Sequence, residues 1–285
     1  MKYRFMRYPQ GKPKAVTFSY DDGWKSDLRL AEIFKKHGFK ATFNLNTKMW
    51  LSENERNLSV SDVKSLLAAG HEIANHGAFH KALGITDRVA GIKDVLDGRQ
   101  GLEEILGGII RGYAYPDTMR NITGDNYLRI KAFLEDLGMV YARLCGKDSD
   151  NFDLPDDFHA WYPNAHHDNP EIFNYIEKFN KMDVKSLYIA SRHPRLFFVW
   201  GHSSEFESKG NWDRIEKICE MLSGKDDIWY ASCIQIYEYV EAYNALRFSV
   251  DGNTVYNPTL IDVWFTDGYT DYKVRSGEMI KIQGN

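Results

Sequence analysis

Seven strand-length apolar segments alternate with seven helix-length segments between residues 15 and 246, and no other feature constrains the fold as tightly. The strand readings are 15–20, 40–46, 71–75, 109–115, 139–144, 195–200 and 228–232. The helix readings are 26–37, 61–69, 86–106, 124–137, 170–190, 212–222 and 234–246. Strands alternating with helices of ~10–15 residues build βαβ units and a parallel sheet. Seven such units predict an α/β protein, an irregular (β/α)7-type barrel rather than an open sheet. Gly38, Gly70 and Gly138 stand where three of the helices should stop.

After Leu246 the pattern changes to alternation by twos, as in Thr254-Val255-Tyr256 and Met279-Ile280-Lys281-Ile282. Asp251-Gly252, Asp267-Gly268 and Ser276-Gly277 supply turns. Residues 1–246 are therefore read as the barrel and 247–285 as a small antiparallel β extension. The extension is too short for a large core of its own and should pack on the barrel.

Composition narrows the function classes. The net charge is −4 with no long basic block, which argues against nucleic acid as the main partner. Three cysteines, Cys145, Cys219 and Cys233, are odd in number and lack CxxC spacing, so neither a disulfide framework nor a thiolate zinc site is expected. No apolar stretch reaches the ~18 residues of a membrane span, and the first residues carry no signal-like apolar region. The expectation is a soluble cytoplasmic protein, or an exported one if a signal has been removed. Gly-x-Gly-x-x-Gly and Gly-Lys-Ser/Thr phosphate loops are absent, which weakens a nucleotide-binding reading. Aromatics make up 14% of the chain; core filling is the plain explanation, and stacking on sugar rings the sharper one.

The chemistry-bearing residues cluster at predicted strand ends, which share one face in a parallel barrel. The first strand ends in Asp21-Asp22-Gly23. Two adjacent carboxylates are costly unless a cation or proton shares the site. His76 and His80 follow, four positions apart. Asp-His-His is a ligand set for a divalent transition metal with one position left open, the arrangement of catalytic rather than structural sites. One aspartate could bind the ion while the other acts as base; a capping Asp-Gly turn is the plainer alternative. Arg111 begins Arg111-Gly112-Tyr113-Ala114-Tyr115-Pro116 and could brace a carboxylate. His202 closes the apolar run 196–201 and could protonate a leaving group. In the stretch 160–167, Trp161, His166 and His167 read as a loop wall or surface pair.

In this order, Ser19-Tyr20-Asp21-Asp22-Gly23, His76-x-x-x-His80, Arg111 with Pro116, a Trp segment and a strand ending in His202 resemble the polysaccharide deacetylase family, the family 4 carbohydrate esterases. The resemblance implies an irregular barrel of about seven units. It implies Asp21 as general base oriented by Arg111, Asp22, His76 and His80 as metal ligands, and His202 as general acid. Trp161 would line the acetyl-sugar site, with Tyr115 and Trp200 as further substrate contacts. The implied cofactor is one divalent ion, zinc, with cobalt or nickel as alternatives. The implied substrate is an acetylated carbohydrate deacetylated at nitrogen. O-acetyl sugars, a small amide, or a non-catalytic carbohydrate-binding role are the alternatives. The chain departs from the family pattern in Ser19-Tyr20 for Thr-Phe, in Pro116 standing five rather than two positions after Arg111, in Ala160 before Trp161, and in Trp200-Gly201 before His202.

Overall fold

The computed structural model describes residues 3–50, 54–117, 120–184 and 192–282. The chain opens with β1 (Phe5–Arg7) and the fully buried β2 (Lys14–Asp21). Then come α1 (Asp27–His37), β3 (Thr42–Leu45), α2 (Thr47–Trp50), α3 (Val60–Ala68), β4 (Glu72–Asn75), α4 (Arg88–Leu106), β5 (Gly112–Ala114), α5 (Gly124–Asp136) and β6 (Tyr141–Arg143). The main body ends with β7 (Ala165–His166), α6 (Ile172–Lys181), β8 (Arg195–Gly201), α7 (Ser203–Lys209), α8 (Trp212–Leu222), β9 (Ile228–Tyr230) and α9 (Cys233–Asn244). The helix expected over 170–190 is seen as α6; positions 185–190 lie outside the described residues.

The main sheet is parallel, in the order β6-β5-β4-β3-β2-β8-β7, with β9 paired to the start of β2. It curls into the expected barrel-like form. Trp161 bridges to Arg143 on β6, and Ala165 and His166 pair with β8. The stretch 161–166 therefore spans the gap between the sheet's two ends. Sequence reasoning passed it over as a strand because it is short and interrupted by Pro163, which cannot donate to a ladder.

Alternation along β2 sorts its side chains into two cores. Val16, Phe18 and Tyr20 face the helices, packing with Leu30 and Phe34 of α1 and Ile215 of α8. Ala15 joins the other core with Tyr141, Trp161, Phe198 and Ile236. Thr17, Ser19 and Asp21 follow on that same face and become polar toward the strand's C-terminal end.

Two small antiparallel sheets follow, built from β10 (Arg247–Phe248), β11 (Thr254–Tyr256), β12 (Val263–Thr266), β13 (Asp271–Val274) and β14 (Met279–Lys281). One has the order β10-β11-β14; the other, β1-β12-β13, takes a strand from the start of the chain. The Tyr239 hydroxyl of α9 donates to the Arg7 carbonyl at 2.6 Å and accepts from Trp264 N–H at 2.9 Å, which ties this sheet to the main body.

Glu72 joins four elements from inside the fold. Its carboxylate accepts from Thr42 Oγ1 at 2.7 Å, Tyr141 OH at 2.7 Å and the Ile234 N–H of α9 at 2.8 Å. Burial pushes the Glu72 pKa up more than these donors lower it, to about 6. A carboxyl raised in the fold contributes stability that is full below its unfolded value and is lost as pH rises through about 6. Wild type is therefore expected to lose about 2 kcal/mol relative to Glu72→Gln between pH 4.5 and 6.5, an order-of-magnitude figure from ~1.4 kcal/mol per pK unit. Urea unfolding of both proteins across that range checks this; parallel pH profiles would contradict it.

Candidate metal centre and active site

The sheet's register brings distant residues to one level. Asp21 lies opposite Asn44, and Tyr20 opposite Gly201, which places His202 beside the aspartate pair. Leu45 pairs with Asn75, so His76 follows at the same end, and Ala114 pairs with Arg143. The resulting cleft of about 270 Å³ is lined by Asp21, His76, His80, Tyr115, Asp117, Arg120, Arg143, Cys145, Trp200 and His202. A larger cavity, about 680 Å³, opens beside Pro13 and Asp227 at the other end of β2, and its lining includes no histidine. The ligand-bearing cleft is the one the chemistry requires.

Asp22 and His80 both adopt left-handed backbone, with φ 78° and 53°. Asp tolerates this region better than most residues, but both positions carry strain of the kind that clusters at working sites. The loop from His76 to His80 is held from α4. Asp94 accepts from Phe79 N–H at 2.8 Å, and Asn75 accepts from Gly77 N–H at 2.9 Å. Gly98 lets α4 approach, since a Cβ there would fall 2.4 Å from Asn75 Oδ1. The glycines that weaken α4 as a helix thus permit the contact that shapes the loop.

Asp22 Oδ1 lies 3.7 Å from His76 Nε2 and 3.8 Å from His80 Nε2. Ligands about 2.0–2.2 Å from a tetrahedral ion lie roughly 3.3–3.6 Å apart, so these separations suit one divalent cation after small adjustment. His76 Nδ1 is 2.8 Å from the Ala114 carbonyl; with the proton there, Nε2 keeps its lone pair. That Nε2 is buried and has no hydrogen-bond partner in the protein. Burial, only partly opposed by Asp21 and Asp22, lowers the imidazole's affinity for a proton and favours the neutral form that a metal needs. The residues fit a metal. Asn46 Nδ2 donates to Asp22 Oδ1 at 2.9 Å and orients it.

Asp21 is held apart from this set. It accepts from Asn44 Nδ2 at 2.8 Å and from Arg143 Nη2, whose side chain is buried. Burial pushes its carboxyl up; Arg143 first, then His76 and His202, outweigh burial and bring it to about 2. The Arg143 guanidinium also lies over the Trp200 ring, 4.9 Å from the centroid. His202 Nε2 stands 4.0 Å from Asp21 Oδ2 and 3.8 Å from Asp22 Oδ2, and its Nδ1 is 3.1 Å from Glu205. Burial pushes its imidazole down, but Glu205, Asp21 and Asp22 together shift it upward.

Three expectations are corrected. Arg111 does not brace Asp21: its guanidinium pairs with Glu238 of α9, and Arg143 takes its place. Trp161 does not line the cleft. It is 2% exposed and packs inside the barrel against Tyr141, Phe158 and Phe198. Tyr115 and Trp200 do line the cleft, with the Tyr115 hydroxyl donating to the His159 carbonyl at 3.1 Å. His167 is wholly buried rather than a surface residue. Sequence reasoning missed Arg143, Asn44, Asn46 and Glu205. Two signals were there: Arg143 is the one charge in the apolar run 139–144, and Glu205 stands three positions after His202.

The comparisons follow the same outline. Residues 6–137 match the polysaccharide deacetylase family. The resemblance read from the motifs is thereby borne out. The match spans Asp21, Asp22, His76 and His80 and ends before Arg143, Trp200 and His202. No curated protein sequence matches the chain. Among solved structures, a candidate polysaccharide deacetylase from Mycobacterium smegmatis is 19% identical over 86% of this chain and 96% of its own, with a TM-score of 0.58. Puue allantoinase is 14% identical over 81% of this chain and 91% of its own, with a TM-score of 0.59. At these identities the likeness is one of fold. The chain spans about half, 55%, of the Streptococcus pyogenes deacetylase PplD (20% identity, 46% of this chain, TM-score 0.41).

Removing one partner of a buried ion pair leaves an uncompensated charge and typically costs about 3–5 kcal/mol. Arg143→Met is expected to lose stability on that scale, whereas Arg111→Ala, whose pair with Glu238 is about one-third exposed, should lose no more than about 1 kcal/mol. Denaturant midpoints of the two variants decide it; a larger loss for Arg111→Ala would overturn the assignment.

Proposed function

We propose that the protein is a metal-dependent hydrolase that removes N-acetyl groups from a carbohydrate. The observation that carries this reading is the division of labour in one cleft. Asp22, His76 and His80 converge with a free buried nitrogen, while Asp21 is kept separate by Arg143 and Asn44. The family match over residues 6–137 supports the same reaction class.

Asp22, His76 and His80 would hold the ion. A carboxylate held at about 2 is a weak base by itself, so the ion's contribution, acidifying water and polarising the acetyl carbonyl, is what the site needs. Asp21, ionised and aimed by Arg143, accepts the proton of the attacking water. His202, turned by Glu205 so that Nε2 faces the aspartates, donates a proton to the departing amine. Tyr115 and Trp200 wall the acyl group from solvent. With Trp161 in the core, the sugar platform expected there is gone. That keeps O-acetyl sugars and small amides in the same assay. No helix among the described residues is long and apolar enough to cross a membrane.

Acetate release from chitooligosaccharides should require added zinc, cobalt or nickel and stop with a chelator. Asp21→Asn and His202→Asn should each lower kcat by about 10²–10⁴, the usual contribution of a general base or acid. Arg111→Ala should stay within about twofold of wild type, since its partner is Glu238. If no acylated carbohydrate releases acetate with metal present, the reading fails.

A further inference from the structure

A second group of metal-ligating side chains lies behind His202 and shares only Glu205, which orients His202, with the reaction above. His166, His167, Asp168 and Glu205 each offer a ligand atom, and these atoms lie within 4.8 Å of one another. They come from the β7 end and the first turn of α7, brought together because β7 pairs with β8. His167 Nε2 is 3.1 Å from Glu205 Oε2 and 3.6 Å from Asp168 Oδ2.

His167 is the observation that points to a ligand. Its side chain has no exposure, and its Nε2 is held against the carboxylates of Glu205 and Asp168 without the alignment of a full hydrogen bond. A buried imidazole nitrogen facing two carboxylates is a donor set that suits a shared divalent cation. The ring is clamped between Phe206, with centroids 4.1 Å apart, and Tyr20, at 5.8 Å. Its Nδ1 lies over Gly201, where a Cβ would come within 1.9 Å. Packing therefore fixes the ring with Nε2 toward the two carboxylates.

We propose that His167 Nε2, Asp168 and Glu205 form a second binding site for a divalent transition-metal ion. The edges of 3.1 and 3.6 Å lie close to the roughly 3.3–3.6 Å between ligands about 2.0–2.2 Å from one tetrahedral ion, so a small adjustment admits it. His166 supports the site from outside. Its Nδ1 accepts the Asp168 N–H at 3.2 Å, so a neutral ring carries its proton on Nε2, 3.3 Å from Glu205 Oε2. Lys209 now supplies positive charge there: its ammonium contacts Asp168 and lies 3.5 Å from Glu205 Oε2. That side chain is half exposed and can swing into solvent when a doubly charged ion takes its place. Arg214, with Nε 3.6 Å from Asp168 Oδ1, is the remaining cation on the cluster. Glu205 links the two centres, since its other oxygen receives His202.

The site shares Glu205 with the proposed reaction but does not require that reaction to occur, and metal stoichiometry tests it directly. Metal-free protein is equilibrated with Zn²⁺, and bound metal is counted by elemental analysis. Wild type should hold two equivalents and Asp22→Ala one. Adding Asp168→Asn or Glu205→Gln to Asp22→Ala should remove the last one. Adding Lys209→Ala, an exposed change that leaves the core intact, should instead tighten it several-fold. One equivalent in wild type and none in Asp22→Ala would overturn the proposal. So would a residual equivalent that ignores Asp168→Asn, Glu205→Gln and Lys209→Ala alike. Two equivalents without acetate release would count against the reaction and leave this site standing; one equivalent with full acetate release would do the reverse.

Discussion

The buried pair between Asp21 and Arg143 is the interaction on which the rest of the cleft depends. Two adjacent aspartates at the end of an apolar strand repel each other, and burial makes the repulsion worse. Arg143 removes one of them from the contest. With Asp21 neutralised by a guanidinium and oriented by Asn44, Asp22 is left to face the two imidazoles. Trp200 covers the guanidinium, so the same arginine also fixes part of the cleft wall. Desolvating both charges is expensive, and the return is a carboxylate that stays ionised at a defined place.

The parallel register turns that local solution into a site. Functional groups stand at or just past the ends of β2, β4, β6 and β8, and the ladder sets them at one height. Side chains below them fill the barrel, Trp161 and Phe198 among them. The polar layer therefore rests on a packed apolar floor. The loop ligands are positioned from outside, by Asp94 and Gly98 of α4, which explains why a helix interior tolerates glycine there. A second polar cluster grows from the same arrangement, because pairing β7 with β8 sets His167 against the helix that follows His202.

Much of this was legible beforehand. The alternation of apolar runs and helical periodicity gives the parallel barrel, the aspartate pair with His76 and His80 stands out by residue type and spacing, and the family resemblance points to Asp22 as the ligand. These are local signals, carried by neighbours in sequence. Arg111 cannot brace Asp21 because it precedes β5, at the opposite end of the parallel sheet from Asp21, whereas Arg143 closes β6 at the same end; only the true strand bounds decide between the two arginines. Trp161 was misread because an aromatic beside Pro163 looks the same whether it faces a cleft or a core. Burial of His167 is not legible in sequence, because two adjacent histidines carry no pattern that tells inside from outside.

Local sequence pattern is enough for most of the strands and helices, for the turns of the C-terminal sheets and for the grouping of an aspartate pair with two histidines. Periodicity and turn chemistry act over a few residues, and those choices need nothing more. Only the tertiary structure decided that Arg143, 122 positions from Asp21, is its partner, and that Arg111 belongs to Glu238, 127 positions away. It also decided that Trp161 fills the barrel and that Glu205 stands between His202 and a buried imidazole. Contacts over such separations follow from strand order and register, which no short stretch of chain contains.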